Sequence, residues 1–242
     1  MYGWRGRVGL IIAATNGVVE MESYRLIPEG VSVHFTRIPY AGTGTEEAEN
    51  KMLSSLEASA KLLAGSSETL GVDVIGFAHG SGTSFGGAGF DEKLNERMTA
   101  AAGVPSITMS TAVVGALKKI GAKRVSVASP FHQKRMLERF AIFLEGNGFE
   151  VKTRRNLDLS NHNLVSSQPP TTAYNLIKSI DSTDIDALVL NNPNIRTIEV
   201  IDQLESDLKK PVITGTQALM WSCLRTIGIS ETMPGLGKLF QL

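Results

Sequence analysis

One histidine, followed by a run of small and hydroxylated residues, holds most of the chemical potential of this chain. His79 precedes Gly80-Ser-Gly-Thr-Ser-Phe-Gly-Gly87. Histidine titrates near neutrality and can take or give a proton at physiological pH. The hydroxyls of Ser81, Thr83 and Ser84, with the backbone N–H groups around Gly80 and Gly82, form a loop able to cradle an anion or developing oxyanion at a helix N-terminus. A tight turn alone needs fewer hydroxyls. The loop lacks the Gly-Lys-Ser/Thr of a Walker A motif, and no G-x-G-x-x-G follows the first apolar run, so nucleotide binding is not expected.

Amides form the second group. Ala13-Ala-Thr-Asn16 places one asparagine after an apolar run, and Asn191-Asn192-Pro193-Asn194-Ile-Arg-Thr197 places three after another. Capping explains one such residue but hardly three. Asn16, Asn192 and Asn194 are therefore candidates to orient the polar end of a ligand, ahead of a helix whose first turn holds Glu199. His132 and His162 read as surface or capping residues, and no His/Asp/Glu spacing resembles a metal site. Cys223 lies in an apolar helical stretch and reads as inert core.

The elements that must position these residues alternate. Val8–Ile12, Val31–Ile38, Val72–Ala78, Ile107–Met109, Arg124–Ala128, Phe149–Thr153, Ala187–Leu190 and Val212–Thr214 read as strands, many apolar on both faces as buried parallel strands are. Between them lie helices. Thr45 caps one, with Glu46 and Glu47 in its first turn, a stripe of Met52, Leu56, Ala60 and Leu63, and Gly65 as its end. Another follows Pro130, with Met136, Phe140, Phe143 and Leu144 on one face and Gly146 as its stop. The class is α/β with parallel sheets.

The chain also repeats. Arg7-Val8 is answered by Arg124-Val125, Gly30-Val31 by Gly148-Phe149, Asp73 by Asp186 and Pro105 by Pro211, at spacings of 117, 118, 113 and 106 residues. The expected architecture is two pseudo-symmetric four-stranded α/β halves: residues 1–109 with 215–242, and residues 110–214. Ligands of open parallel sheets bind beyond the carboxyl ends of the strands, which places the site in a cleft between the halves. The register puts His79 and Asn192 at equivalent positions across it.

Composition excludes several classes. Among 242 residues, 24 Lys and Arg balance 24 Asp and Glu, without the basic surplus of a nucleic-acid-binding protein. No apolar run approaches the length of a membrane span, and the apolar stretch near the N-terminus reads as a core strand rather than a signal peptide. One cysteine excludes an intrachain disulfide. A cytoplasmic protein is expected, and a homo-oligomer is compatible with these readings.

Asn192-Pro-Asn-Ile-Arg-Thr197 is similar to a Cys-Thr-Asn-Leu/Met-Arg-Thr motif, and Pro105-Ser-Ile-Thr-Met-Ser-Thr-Ala112, Gly82-Thr-Ser-Phe85 and Ala-Thr-Asn16 carry further likeness. Through them the chain resembles the aspartate/glutamate racemase superfamily, in its maleate isomerase and arylmalonate decarboxylase branch. The resemblance implies two facing α/β halves and action on small carboxylic acids without metal or organic cofactor. The family's two thiols correspond here to His79, or to Gly80 when the alignment starts from Phe85, and to Asn192. A phenol after the fifth strand corresponds to Phe131. With neither thiol present, thiolate-adduct isomerisation and two-thiol racemisation are excluded in their usual form.

The resulting expectation is a cofactor-independent isomerase- or lyase-like enzyme on a small carboxylate. His79 would do the acid–base work, the Gly80–Ser84 loop would hold a carboxylate, and Asn16, Asn192, Pro193 and Asn194 would orient it. The alternatives are a hydrolase of a lactone, imide or amide, with His79 activating water or Ser81, and a carboxylate-binding protein without catalysis.

Overall fold

The computed structural model describes residues 2–65, 71–131 and 133–242, so His132 lies outside the described residues. Its strands are β1 (Gly6–Ala13), β2 (Val31–Ile38), β3 (Val74–Ala78), β4 (Ser106–Thr108), β5 (Arg124–Phe131), β6 (Glu150–Leu159), β7 (Ala187–Leu190) and β8 (Val212–Thr214). They form two all-parallel sheets with the same order, β2-β1-β3-β4 and β6-β5-β7-β8. The helices are α1 (Val19–Tyr24), α2 (Glu46–Leu53), α3 (Leu56–Ala64), α4 (Gly80–Ser84), α5 (Phe90–Ala102), α6 (Met109–Lys119), α7 (Lys134–Gly146), α8 (His162–Ser166), α9 (Pro170–Lys178), α10 (Ile201–Leu208) and α11 (Gly215–Thr226). None is long and apolar enough to cross a membrane.

The repeat is physical as well as sequential. The Asp73 carboxylate accepts the Arg7 backbone N–H at 2.7 Å and its guanidinium at 3.1 Å, clasping β3 to β1. Asp186 does the same for Arg124, at 2.8 Å in both contacts, clasping β7 to β5. Equivalent threonines start equivalent helices: Thr108 accepts from the Thr111 N–H, and Thr214 forms a capping box with Gln217. Each satisfies a backbone donor that the first helical turn cannot.

Two local expectations change. The helix expected to run from Thr45 to Gly65 is two, α2 and α3, broken at Ser54–Ser55, where the Ser54 hydroxyl bonds the Lys51 carbonyl. The helix expected after Pro130 is α7, which begins at Lys134 and ends at Gly146, while Pro130 itself sits inside β5. Glu199 precedes α10 rather than lying in its first turn, and bonds Arg196 instead.

Helix α11 returns to cover β3. Gly76 leaves room there, since a Cβ on it would meet Leu10, Cys223 and Leu219 at 2.7 to 3.2 Å. Cys223 is fully buried, and burial pushes its thiol up to about 12. It is core.

Candidate active site

The carboxyl ends of the strands converge on a cleft enclosing about 640 Å³ of empty space, its mouth included. Ala13, Ala78 and Ala128, from β1, β3 and β5, keep its floor open. On one side stand Tyr40, His79 and Ser81; on another, Phe131, Leu137 and Phe140 form an apolar wall. No lysine or arginine lines it among the described residues.

His79 is 6% exposed and sits at the N-cap of α4. Its Nδ1 accepts the Gly82 N–H at 2.9 Å. An accepting Nδ1 places the ring proton of the neutral imidazole on Nε2. The ring stacks on Phe77 at 5.8 Å and meets the edge of Tyr40 at 4.7 Å, which fixes its plane. Burial lowers its pKa, and the nearby Glu49 charge opposes that shift. The resting ring is therefore neutral near pH 7.

Glu49 lies beneath this histidine, 1% exposed. Its Oε1 accepts the Tyr40 hydroxyl at 2.9 Å and the Ser81 hydroxyl at 3.0 Å. Its Oε2 is buried with no hydrogen bond and stands 3.9 Å from His79 Nδ1. Burial, then the Glu49 charge, raises the Tyr40 pKa well above the ordinary phenol range.

The glycine-rich loop is not the open anion cradle expected of it. It folds into the single turn of α4, and most of its donors are engaged within the chain. The Thr83 hydroxyl bonds the His79 and Gly80 carbonyls and Ser110, away from the cleft. Ser84 lines the cleft but donates to the Gly80 carbonyl. Gly82 lies behind the ring, where a Cβ would fall 2.7 Å from Met52, 2.8 Å from His79 Nδ1 and 2.9 Å from Glu49. Gly80 does line the cleft.

The asparagines divide into two kinds. Asn16 bonds the Pro193 carbonyl through its amide and the Val18 and Val19 N–H groups through its oxygen. Asn194 takes the Gly17 N–H and donates to the His162 carbonyl. Both border the cleft, with Pro193, yet their polar atoms are occupied within the chain, the Asn16–Pro193 and Gly17–Asn194 bonds tying the halves together. Asn192 accepts the Asn194 N–H with its oxygen, leaving its amide nitrogen without an intrachain bond among those described.

Of the lining or adjoining residues absent from the sequence-based set, five bear on the chemistry of the cleft. Asn191 borders the cleft with both side-chain polar atoms buried and unbonded, as does Thr15 with its hydroxyl. Tyr40 and Glu49 form the support of His79. His162, expected as a surface or capping residue, instead edges Tyr40 at 5.9 Å and Phe131 at 4.8 Å inside the cleft, while Asn161 caps α8. Burial lowers the His162 pKa as well. No group of three or more His, Cys, Asp or Glu among the described residues could hold a metal.

Comparison with known proteins places this geometry. The chain matches the arylmalonate decarboxylase family over residues 8–240. It is 26% identical over 243 residues to an arylmalonate decarboxylase of Bordetella bronchiseptica, covering 97% of this chain and 96% of that one. A maleate isomerase of Pseudomonas putida is 24% identical over 248 residues, 97% of each chain. Among solved structures, a Pseudomonas putida maleate isomerase superposes with a TM-score of 0.89 at 27% identity, covering 97% of this chain and 98% of that one. An arylmalonate decarboxylase superposes with a TM-score of 0.82 at 25% identity, covering 97% and 99%.

Proposed function

The chain belongs to the arylmalonate decarboxylase family, and from that premise we propose that it is a cofactor-independent lyase or isomerase moving a proton at a carbon of a small carboxylic acid. The clamp on His79 carries this reading: Nδ1 is held by Gly82 N–H at 2.9 Å, so Nε2 is the nitrogen left for substrate.

In this mechanism the Nε2–H first binds a substrate carboxylate oxygen. The amides of Asn191 and Asn192 and the Thr15 hydroxyl hold the remaining oxygens. The apolar wall of Phe131, Leu137 and Phe140 receives the carbon substituent and strengthens these hydrogen bonds by excluding water. For decarboxylation, the bond to the departing carboxylate breaks and its electrons become an enediolate. His79, having taken a second proton from solvent to become the imidazolium, then gives its Nε2 proton to carbon and returns to neutral, so the product carries one proton drawn from solvent. For isomerisation the imidazolium gives its Nε2 proton to carbon first, and Nε2, then free, takes a proton back from the same or a neighbouring carbon and regenerates the imidazolium. Hydrolysis by a Ser81–His79 pair finds less support, because Ser81 donates to Glu49.

The test is turnover of aryl-substituted malonates and maleate, read as CO₂ release and as deuterium incorporation at carbon. His79→Ala and His79→Asn are expected to lower kcat/KM about a hundredfold or more, the scale of lost acid–base catalysis. The acid must be protonated, so kcat/KM falls as pH rises through the free-enzyme pKa, which burial holds below 6.5. Turnover by His79→Asn at the wild-type rate, or lactone or amide cleavage abolished by Ser81→Ala, would refute this assignment.

A further inference from the structure

The cleft asks a carboxylate to enter a place without a cation. No lysine or arginine lines it among the described residues. The guanidiniums close in sequence to its walls are engaged elsewhere: Arg37 bonds the Ala14 and Asn16 carbonyls and pairs with Glu20, Arg135 bonds the Gly44 carbonyl, Arg139 lies over the Phe85 ring, and Arg196 pairs with Glu199. Directly behind His79 lies a buried carboxylate, Glu49. A ligand anion would therefore lose hydration and face a like charge across one imidazole ring, an unfavourable arrangement in a low-dielectric site.

We propose that a carboxylate enters this cleft together with one proton, which lodges on His79, and that Glu49 is the buried counter-ion of the resulting imidazolium. This rests on the reading of the cleft as a carboxylate site. The geometry supplies both ends of the bridge. Nε2–H meets the ligand, while the new Nδ1 proton turns from Gly82 to Glu49 Oε2, 3.9 Å away with no other hydrogen bond. Closing that gap to bonding distance needs a movement of about 1 Å. Tyr40 and Ser81 both donate to Oε1, leaving Oε2 as the atom aimed at the ring. Three titratable groups face His79: Glu49, which favours the charged ring, Tyr40, kept neutral, and His162, whose charge would oppose it. His162 interacts with the Gly42 backbone and stands across the Tyr40 ring. The proton comes from solvent and returns there when the ligand leaves. Glu49 is thus a positioning residue, acting through His79.

Titration calorimetry of the full chain with phenylacetate decides the matter, run at pH 7.5 in phosphate and in Tris, whose ionisation enthalpies differ. The expected result is uptake of close to one proton per ligand bound, with Kd weakening by up to about tenfold per pH unit above neutrality. Glu49→Gln retains acceptors for Tyr40 and Ser81 but not the charge; uptake should fall below half a proton and Kd at pH 7 weaken about tenfold. His79→Asn should abolish the uptake. The ¹⁵N shifts of the His79 ring should move to the doubly protonated form on binding, which serves if Glu49→Gln does not fold.

Phenylacetate binding with a pH-independent Kd and no proton uptake overturns the proposal while leaving the carboxylate site standing. Uptake lost in His162→Asn but kept in His79→Asn also overturns it. Failure of both phenylacetate and malonate to bind anywhere between pH 6 and 8 removes the carboxylate-site reading itself, and this inference with it.

Discussion

The backbone of Gly80 lies against the backbone of Asn191, so close that a Cβ on Gly80 would sit 2.4 Å from the Asn191 carbonyl oxygen. These residues follow the equivalent strands β3 and β7, so the halves touch at their matched strand ends. The obstacle is main chain and cannot swing aside as a side chain can.

Gly80→Ala should therefore part the halves at the cleft. The expected cost is about 1 to 3 kcal/mol of overpacking, a fall in Tm of roughly 3 to 10 °C for a chain of this size, with weakened carboxylate binding. Calorimetric melting and ligand titration check it; an unchanged Tm would mean that the contact is looser than described. The same crowding makes position 80 a poor place for a thiol in this chain.

Asn191 and Asn16 should behave in opposite ways. The Asn16 side chain makes three intrachain hydrogen bonds, whereas the polar side-chain atoms of Asn191 make none. Asn16→Ala should destabilise by about 1 to 3 kcal/mol, leaving buried partners unsatisfied. Asn191→Ala should change stability by less than about 1 kcal/mol and raise KM or lower kcat. Paired melting curves and kinetics distinguish them, and equal losses of stability would show Asn191 to be structural.

Glu22 gives stability a pH dependence of its own. It is 4% exposed on α1, where Oε1 accepts the Thr197 and Ile198 N–H groups and holds the segment after β7. Burial, the largest effect, raises its pKa from 4.5 to about 7. The folded state thus holds the proton more tightly than the unfolded chain. The stability contribution is full below about pH 4.5 and declines as pH rises toward 7, by up to about 1.4 kcal/mol per unit. Glu22→Gln should remove that slope and melt higher than wild type at pH 8. Parallel slopes for the two proteins would contradict it.

Cys223 should be silent. Its thiol packs on Gly76 and is held protonated by burial. Thiol alkylation at pH 8 should not proceed without unfolding, and Cys223→Ala should retain activity at a loss of about 1 to 2 kcal/mol. Inactivation by alkylation of the folded enzyme would overturn the placement of the site.

The sheets were legible because buried parallel strands declare themselves as apolar runs, and the Arg7/Asp73 and Arg124/Asp186 matches mark their register. The site was half legible. His79 announces itself as a histidine at a strand end, but its support does not. Glu49 stands in Glu46-Glu47-Ala-Glu49, which resembles a solvated acidic turn. Its spacing carries a usable signal, three residues before Met52 and so on the apolar face of α2. Tyr40 and His162 have no such signal, because only the packing of distant segments brings their rings together. Counting hydroxyls in the Gly80–Ser84 loop misleads for a related reason: the one-turn helix uses those of Thr83 and Ser84 on its own carbonyls, and Ser81 gives its own to Glu49.

The return of α11 to β3 sets an order on biosynthesis. All four strands of the first sheet are translated well before Leu219 and Cys223, which cover Gly76. The half made first is thus the last to be finished, and it leaves the ribosome with part of its apolar face bare while the second half is still being made. A nascent or truncated chain stopping before Gly215 carries that face into solvent, where aggregation and chaperone capture compete with folding.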